Sequence, residues 1–109
     1  MFRSIKQYFN KKNLKDKRYE FLFDETPNEE YVCFDCETTG LNPKKDDIVS
    51  IGAVIIKNNT IISSRKFVKF VKPKTKLQAD AIKIHHIRVC DLEDADDINT
   101  VIEEFLEFI

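Results

Sequence analysis

The most apolar part of the chain lies between residues 48 and 56, where both alternating sets of positions carry apolar side chains. This pattern is typical of a strand that is covered on both faces. Residues 31–35 are rich in strand formers, and the turn-forming sequence that begins at Thr39 follows them. Asn58 and Asn59 predict a tight turn into a further strand over residues 60–71. The chain therefore begins its main domain with three strands, and the last two form an antiparallel hairpin.

Helical spacing of apolar residues appears at both ends of the sequence. Residues 2–9 predict a short amphipathic helix, and the polar residues 10–18 predict a connector. A second short helix is expected over residues 79–86. Apolar positions recur at helical spacing from Ile98 onward, and Asp97 before them is a suitable N-cap.

The composition limits the class of protein. A length of 109 residues suits one small domain, and a hydrophobic content of 42% can form a core. No apolar run reaches the roughly 20 residues of a membrane span, and no secretory signal is recognisable. We therefore expect a cytoplasmic location. Three cysteines, an odd number, argue against a disulfide scaffold.

Charge is distributed in blocks although the formal net charge is only -1. Residues 1–18 and 57–88 are basic, and every charged residue after Arg88 is acidic. The basic blocks permit an anionic partner, and solvated surface is the simpler interpretation. We treat residues 1–30 as an N-terminal basic helix and connector, and residues 31–109 as the domain.

Two carboxylates follow one another at the end of the first predicted strand. Asp35 and Glu37 are two positions apart, so their side chains share a face of the strand. Carboxylates this close repel each other unless a cation lies between them, and hard oxygen ligands suit Mg²⁺ or Mn²⁺. Gly40 would permit close approach of a substrate. The spacing alone is also compatible with a solvated strand end.

A longer stretch around these carboxylates resembles a known family. Residues 32–41, Val-Cys-Phe-Asp-Cys-Glu-Thr-Thr-Gly-Leu, resemble the first motif of the DEDD family of 3′→5′ exonucleases, which includes epsilon-like and RNase T-like members. Residues 48–54 resemble the second strand of that family. Residues 80–87, Asp-Ala-Ile-Lys-Ile-His-His-Ile, resemble the family segment acid-Ala-x-x-apolar-His-Gly-Ile. The resemblance runs from about residue 31 to residue 109.

The resemblance implies an α/β fold of the ribonuclease-H-like exonuclease type, beginning with three antiparallel strands. It implies two-metal hydrolysis of the terminal phosphodiester of a nucleic acid. Asp35 and Glu37 match the first two of four acidic metal ligands and are the implied catalytic residues. The implied substrate-binding residues are Thr38, Thr39, Gly40, Asp80 and His85.

The sequence also departs from the family pattern. Nothing in it matches the second and third motifs, and Asp96 and Asp97 occupy no ligand position. We therefore expect an incomplete N-terminal portion of the exonuclease domain that is inactive alone. His86 stands where the family has glycine.

The cysteine spacing offers another metal site. Cys33 and Cys36 form a Cys-x-x-Cys pattern that His85 and His86 could complete as a zinc set. A strand through Cys33 and Cys36 would send the two sulfurs to opposite faces, which disfavours zinc. We expect these cysteines and Cys90 to be small buried side chains.

Three hypotheses remain open for the function. The first is a metal-dependent 3′→5′ exonuclease that uses Mg²⁺ or Mn²⁺ and acts on the 3′ end of single-stranded nucleic acid. The second is a non-catalytic nucleic-acid-binding or polymerase-binding module. The third is an incomplete chain without a stable fold. A DNA polymerase subunit is a further candidate partner, and a membrane is not expected.

Overall fold

The computed structural model describes residues 2–25 and 29–109. These two ranges contain three α-helices, three strands and two 3₁₀ helices. In order they are α1 (Phe2–Asn13), the first 3₁₀ helix (Lys17–Phe23), β1 (Glu30–Thr38), β2 (Ile48–Lys57), β3 (Thr60–Phe70), α2 (Ala79–His85), the second 3₁₀ helix (Val89–Leu92) and α3 (Ile98–Phe108).

The three strands form one antiparallel sheet in the order β1-β2-β3. The predicted hairpin is confirmed, since Lys57 pairs with Thr60 across the turn. Asn58 and Asn59 both have positive φ angles, of 50° and 60°. Asparagine tolerates this left-handed conformation, and two such residues match the twist of a hairpin. The predicted α/β class with an antiparallel three-stranded beginning is therefore observed.

α3 covers one face of the sheet and forms the main core. Val101 and Phe105 of α3 pack with Ile51 of β2 and Phe67 of β3, and Val101 and Ile51 are almost completely buried. Burial of each such side chain contributes roughly 1.5–3 kcal/mol. This core therefore holds α3 against one face of the sheet.

The opposite face of β2 is more open than the sequence predicted. Val49, Ile51, Ala53 and Ile55 of β2 are buried on one face. The residues that alternate with them, on the other face, are only partly buried. A Cβ atom added at Gly52 would meet no atom within 4 Å. The expectation that β2 is covered on both faces is therefore wrong for the described residues, because the packed helix α3 covers one face.

α3 begins as the sequence predicted. The side chain of Asp97 accepts a hydrogen bond from the backbone N–H of Thr100 at 3.0 Å. This bond satisfies one of the free N–H groups at the start of the helix. The N-terminal end of α3 is therefore defined locally.

The N-terminal region contains more helix than expected. α1 extends to Asn13, and the first 3₁₀ helix begins at Lys17, within the predicted connector. The Lys17 Nζ donates to two carbonyl groups in the last turn of α1, each at 3.2 Å. Asp16 accepts from the N–H of Arg18 and caps the 3₁₀ helix. Among the described residues no helix combines the length and apolar character needed to cross a bilayer.

Candidate active site

Asp35 and Glu37 lie within β1 rather than at its end. The strand was expected to end at Asp35, but its pairing with β2 continues through Glu37, opposite Ser50, and β1 ends at Thr38. The register shifts between Glu37 and Thr38. Because side chains alternate along a strand, Asp35 and Glu37 project from the same face. The predicted shared face of the two carboxylates thus follows from the observed strand.

This face is the one that α3 leaves open. The ring of Phe34, which neighbours Asp35 in sequence, packs on Phe105 of α3 with the ring centroids 5.3 Å apart. Asp35 therefore projects away from α3, and its cross-strand neighbour Gly52 contributes no side chain. Asp35 is exposed, and its Oδ1 accepts the backbone N–H of Cys36 at 2.9 Å.

A groove of about 180 Å³ separates the end of β1 from α2. It brings together four of the seven predicted site residues, although α2 lies about forty residues further along the chain. Its lining residues are Glu37, Thr38, Leu41, Gln78, Asp80, Ala81, Ile84 and His85. Asp35, Thr39 and Gly40 are not part of the lining.

His85 joins the two walls of this groove. Its Nδ1 accepts the backbone N–H of Ile87 at 3.0 Å, and its Nε2 lies 3.1 Å from the carbonyl oxygen of Thr38. A neutral ring with its proton on Nε2 satisfies both bonds. Both ring nitrogens are therefore engaged within the protein.

Thr39 is the fully buried centre of a hydrogen-bond network behind the groove. Its hydroxyl donates to Asp46 Oδ1 at 3.1 Å and accepts the backbone N–H of Asp47 at 3.0 Å. It also lies 3.0 Å from the hydroxyl of Thr75. A buried hydroxyl with these partners fixes the chain that follows β1.

Gly40 is buried against the same network. A Cβ atom at this position would lie 2.6 Å from Asp46 Oδ2 and 2.6 Å from Gln78 Nε2. The space in front of Gly40 is thus occupied by side chains of the protein itself. A side chain at this position would displace the carboxylate of Asp46 and the amide of Gln78.

Asp47 connects this network to the segment before α2. Its Oδ2 accepts the backbone N–H groups of Lys74 and Thr75, each at 2.8 Å, and the Thr75 hydroxyl at 3.0 Å. These bonds, led by the one from the backbone of Thr75, lower the pKa of the Asp47 carboxyl below its ordinary value. The sequence analysis did not predict this network. The two adjacent acids before β2, Asp46 and Asp47, were the feature that could have indicated it.

The cysteines differ from their predicted role. Cys33 and Cys90 are exposed and Cys36 is half-buried, so the expectation of three buried side chains is wrong for the first two. Cys33 pairs with Val54 on the open face, whereas Cys36 pairs with Ile51 on the α3 face. Burial, followed by the charges of Asp35 and Glu37, raises the pKa of the Cys36 thiol.

The two carboxylates are suited to hold part of a metal site. Within residues 2–25 and 29–109, neither Asp35 nor Glu37 forms an ion pair. Their carboxylate oxygens are ligands of the kind that Mg²⁺ and Mn²⁺ prefer. The same described residues contain no cluster of three or more His, Cys, Asp or Glu side chains that could hold a metal ion. The donor set is thus chemically appropriate and limited to two groups.

Comparison with known proteins identifies the family to which most of the chain belongs. The Exonuclease family model, of the RNase T type, matches residues 32–109. DNA polymerase III PolC-type from Mycoplasmopsis pulmonis is 36% identical over 91 residues, which are 84% of this chain and 6% of that protein. The PolC-type polymerase of Staphylococcus haemolyticus is 42% identical over 79 residues, 72% of this chain and 5% of that protein. The chain thus spans only a small part of the length of these relatives.

Solved structures agree with the fold. Cell-death related nuclease 4 has a TM-score of 0.66 at 24% identity, over 75% of this chain and 30% of that one. A 3′-exonuclease solved for its specific recognition of the histone mRNA stem-loop 3′ end has a TM-score of 0.62 at 19% identity. That likeness covers 96% of this chain and 38% of the other. With the family match over residues 32–109, these findings show that the chain belongs to the RNase T-type exonuclease family and has the ribonuclease-H-like exonuclease fold.

Proposed function

We propose that this chain carries the first part of the active site of a divalent-metal-dependent 3′→5′ exonuclease, which hydrolyses terminal phosphodiesters of nucleic acid. The observation that carries the proposal is the placement of Asp35 and Glu37 on one open face of β1, without an ion pair in the described residues. Family membership supports the class of reaction. Carboxylate oxygens favour Mg²⁺ or Mn²⁺ as the ion.

The proposal assigns Asp35 and Glu37 to metal binding and hence to catalysis. Metal ions held there would supply positive charge for the attacking water and for the leaving oxygen. Glu37 reaches the groove between β1 and α2, so the reacting phosphate would lie at the β1 end of that groove. The two carboxylates are held by β1 on one face of the sheet, so the metal ligands are in position before the substrate binds.

The remaining residues are proposed to form the nucleotide side of the site. Asp80 lines the groove and its side chain is 95% exposed, so its carboxylate can accept a hydrogen bond from a terminal hydroxyl. Thr38 lines the same groove. Thr39 and Gly40 would support the wall from behind, since the Thr39 hydroxyl and the space beside Gly40 are engaged within the protein. His85 would line the groove with its ring held by two backbone groups.

We further propose that the chain is inactive by itself. Two carboxylates cannot hold two metal ions firmly, and the described residues offer no third ligand close to them. An active site would then need acidic ligands beyond Asp35 and Glu37. Because the relatives from Mycoplasmopsis pulmonis and Staphylococcus haemolyticus are PolC-type DNA polymerases, we propose a DNA polymerase as the context, with the 3′ end of single-stranded nucleic acid as substrate and the cytoplasm as location.

The test is paramagnetic broadening by Mn²⁺ in amide NMR spectra of the whole chain. The proposal expects broadening centred on Asp35 and Glu37 and extending to their neighbours on β2. Asp35→Asn with Glu37→Gln should abolish it without changing the other amide positions. Broadening that is centred elsewhere, or that persists in this variant, would contradict the assignment.

A non-catalytic nucleic-acid-binding or polymerase-binding module is the second candidate function. The absence of a third metal ligand among residues 2–25 and 29–109 is the observation that favours it. Such a module would show no broadening at Asp35 and Glu37. The same titration therefore separates the two candidates.

A further inference from the structure

The N-terminal helices form a basic element outside the residues that match the exonuclease family, which begin at residue 32. Residues 1–18 contain seven basic side chains and one acidic side chain. α1 contains no acidic residue. This segment therefore carries a concentrated positive charge on a chain whose net charge is only -1.

α1 also exposes large apolar side chains along one face. Ile5, Tyr8 and Phe9 follow helical spacing, and they are 50%, 63% and 54% exposed. The rings of Tyr8 and Phe9 meet edge to face, with their centroids 5.7 Å apart. Two aromatic rings thus present their surfaces to solvent on this helix.

Lysines lie within and beside this aromatic face. Lys12 follows Tyr8 by four positions and Phe9 by three, so it lies on the same side of α1. In the described part of the chain Lys6, Lys12 and Lys15 form no ion pair. Aromatic rings and uncompensated cations are therefore interleaved on one surface.

The first 3₁₀ helix, which follows α1, contacts the side of the molecule formed by α3. Arg18 of the first 3₁₀ helix reaches Glu103 of α3 at 3.4 Å. α3 covers the sheet face to which Phe34 projects, opposite the face of Asp35. The first 3₁₀ helix thus contacts the element that lies on the sheet face opposite Asp35 and Glu37.

We infer that α1 and the first 3₁₀ helix form an auxiliary binding surface for single-stranded nucleic acid. Bases stack on Tyr8 and Phe9, and Lys6 and Lys12 contact the phosphates. A lipid bilayer fits less well, because Lys12 within the aromatic face would have to enter the apolar layer. The choice of nucleic acid as the polyanion rests on the proposed function.

The experiment measures fluorescence anisotropy of labelled oligothymidylate and oligouridylate, each of about 15 nucleotides, with the whole chain in EDTA. We expect binding that weakens with salt. Lys6→Glu with Lys12→Glu should lower the affinity at least about tenfold and reduce the salt slope by roughly 1.4, for two lost phosphate contacts. Tyr8→Ala with Phe9→Ala should lower it about fivefold or more.

The control is Lys57→Glu with Lys76→Glu, which changes the charge equally at exposed positions outside the N-terminal helices. The control variant should bind the oligonucleotides more tightly than the α1 variants do. Circular dichroism checks that every variant is folded. Absence of binding by the wild type, or equal losses in α1 and control variants, would overturn the inference. Retention by phosphatidylserine vesicles without oligonucleotide binding would also overturn it.

Asp35→Asn with Glu37→Gln separates this inference from the proposed function. The variant should bind the oligonucleotides in EDTA at least as well as the wild type, because the α1 surface is unchanged. Loss of metal binding in this variant concerns only the β1 site. Loss of oligonucleotide binding would show that the contact is made at β1 and would contradict a surface on α1.

Discussion

The His85 imidazole ties the end of α2 to the end of β1, with Nε2 3.1 Å from the carbonyl oxygen of Thr38. The other ring nitrogen accepts the N–H of Ile87 at 3.0 Å. One side chain thus connects the C-terminal turn of α2 to the end of β1 beside the candidate nucleotide groove. Its role in the structure is to hold the groove walls at a fixed separation.

Replacement of His85 by alanine should therefore destabilise the protein. The change leaves the N–H of Ile87 and the carbonyl of Thr38 without their partner, which costs about 1–3 kcal/mol in the free energy of unfolding. Urea denaturation measures this difference. His86→Ala is the matched control, because the neighbouring side chain is exposed. Equal midpoints for the two variants would contradict the role assigned to His85.

His86→Gly should stabilise the protein. His86 ends α2 in the left-handed conformation, at φ 60° and ψ 15°, where a side chain is disfavoured. Glycine removes that penalty, and we expect a gain of about 1 kcal/mol. The urea midpoint should rise with an unchanged slope. His86→Ala retains the Cβ atom and should give no gain, so a similar rise in that variant would exclude the conformational explanation.

Asp47 should make stability depend on acid pH. Its pKa is lowered in the folded protein, chiefly by the hydrogen bond from the backbone of Thr75. The contribution is therefore complete above the unfolded pKa of about 3.9 and is lost as the pH falls through the lower folded value. Asp47→Asn should cost about 1 kcal/mol at neutral pH and progressively less below about pH 4. A constant difference from neutral to strongly acidic pH would contradict this prediction.

The elements with local signals were predictable from the sequence. The hairpin followed from Asn58 and Asn59, whose backbone favours the turn that joins β2 to β3. α3 followed from its apolar period and from the cap at Asp97. The family resemblance pointed to the two carboxylates, and four of the seven residues that it implied line one groove.

The features that depend on distant contacts were not predictable. β1 continues beyond Asp35 because β2 offers further pairing partners, which no local propensity encodes. The network of Thr39 joins Asp47 to Thr75, and these two residues are separated by the whole hairpin. The open face of β2 was missed because an apolar run does not specify which of its faces a helix will cover.

Thiol reactivity should report the charge at β1. Cys33 and Cys90 are exposed and should react rapidly with Ellman's reagent, while Cys36 should react slowly because its thiol pKa is raised. Since Asp35 and Glu37 contribute to that shift, saturating Mg²⁺ should accelerate the reaction of Cys36. The variant Asp35→Asn with Glu37→Gln should react faster without Mg²⁺ and show no further response. A Mg²⁺ effect that persists in the variant would exclude the carboxylates as its origin.

Calorimetric titration of Mn²⁺ into the whole chain tests the central claim most directly. The account predicts a saturable heat in the wild type that weakens at least about tenfold in Asp35→Asn with Glu37→Gln, because both oxygen ligands are replaced by neutral amides. Asp80→Asn is the control, since that carboxylate lies in the groove and is assigned to substrate rather than to metal. Equal binding by the wild type and the double variant, or no binding by a folded wild type, would contradict a metal site at Asp35 and Glu37.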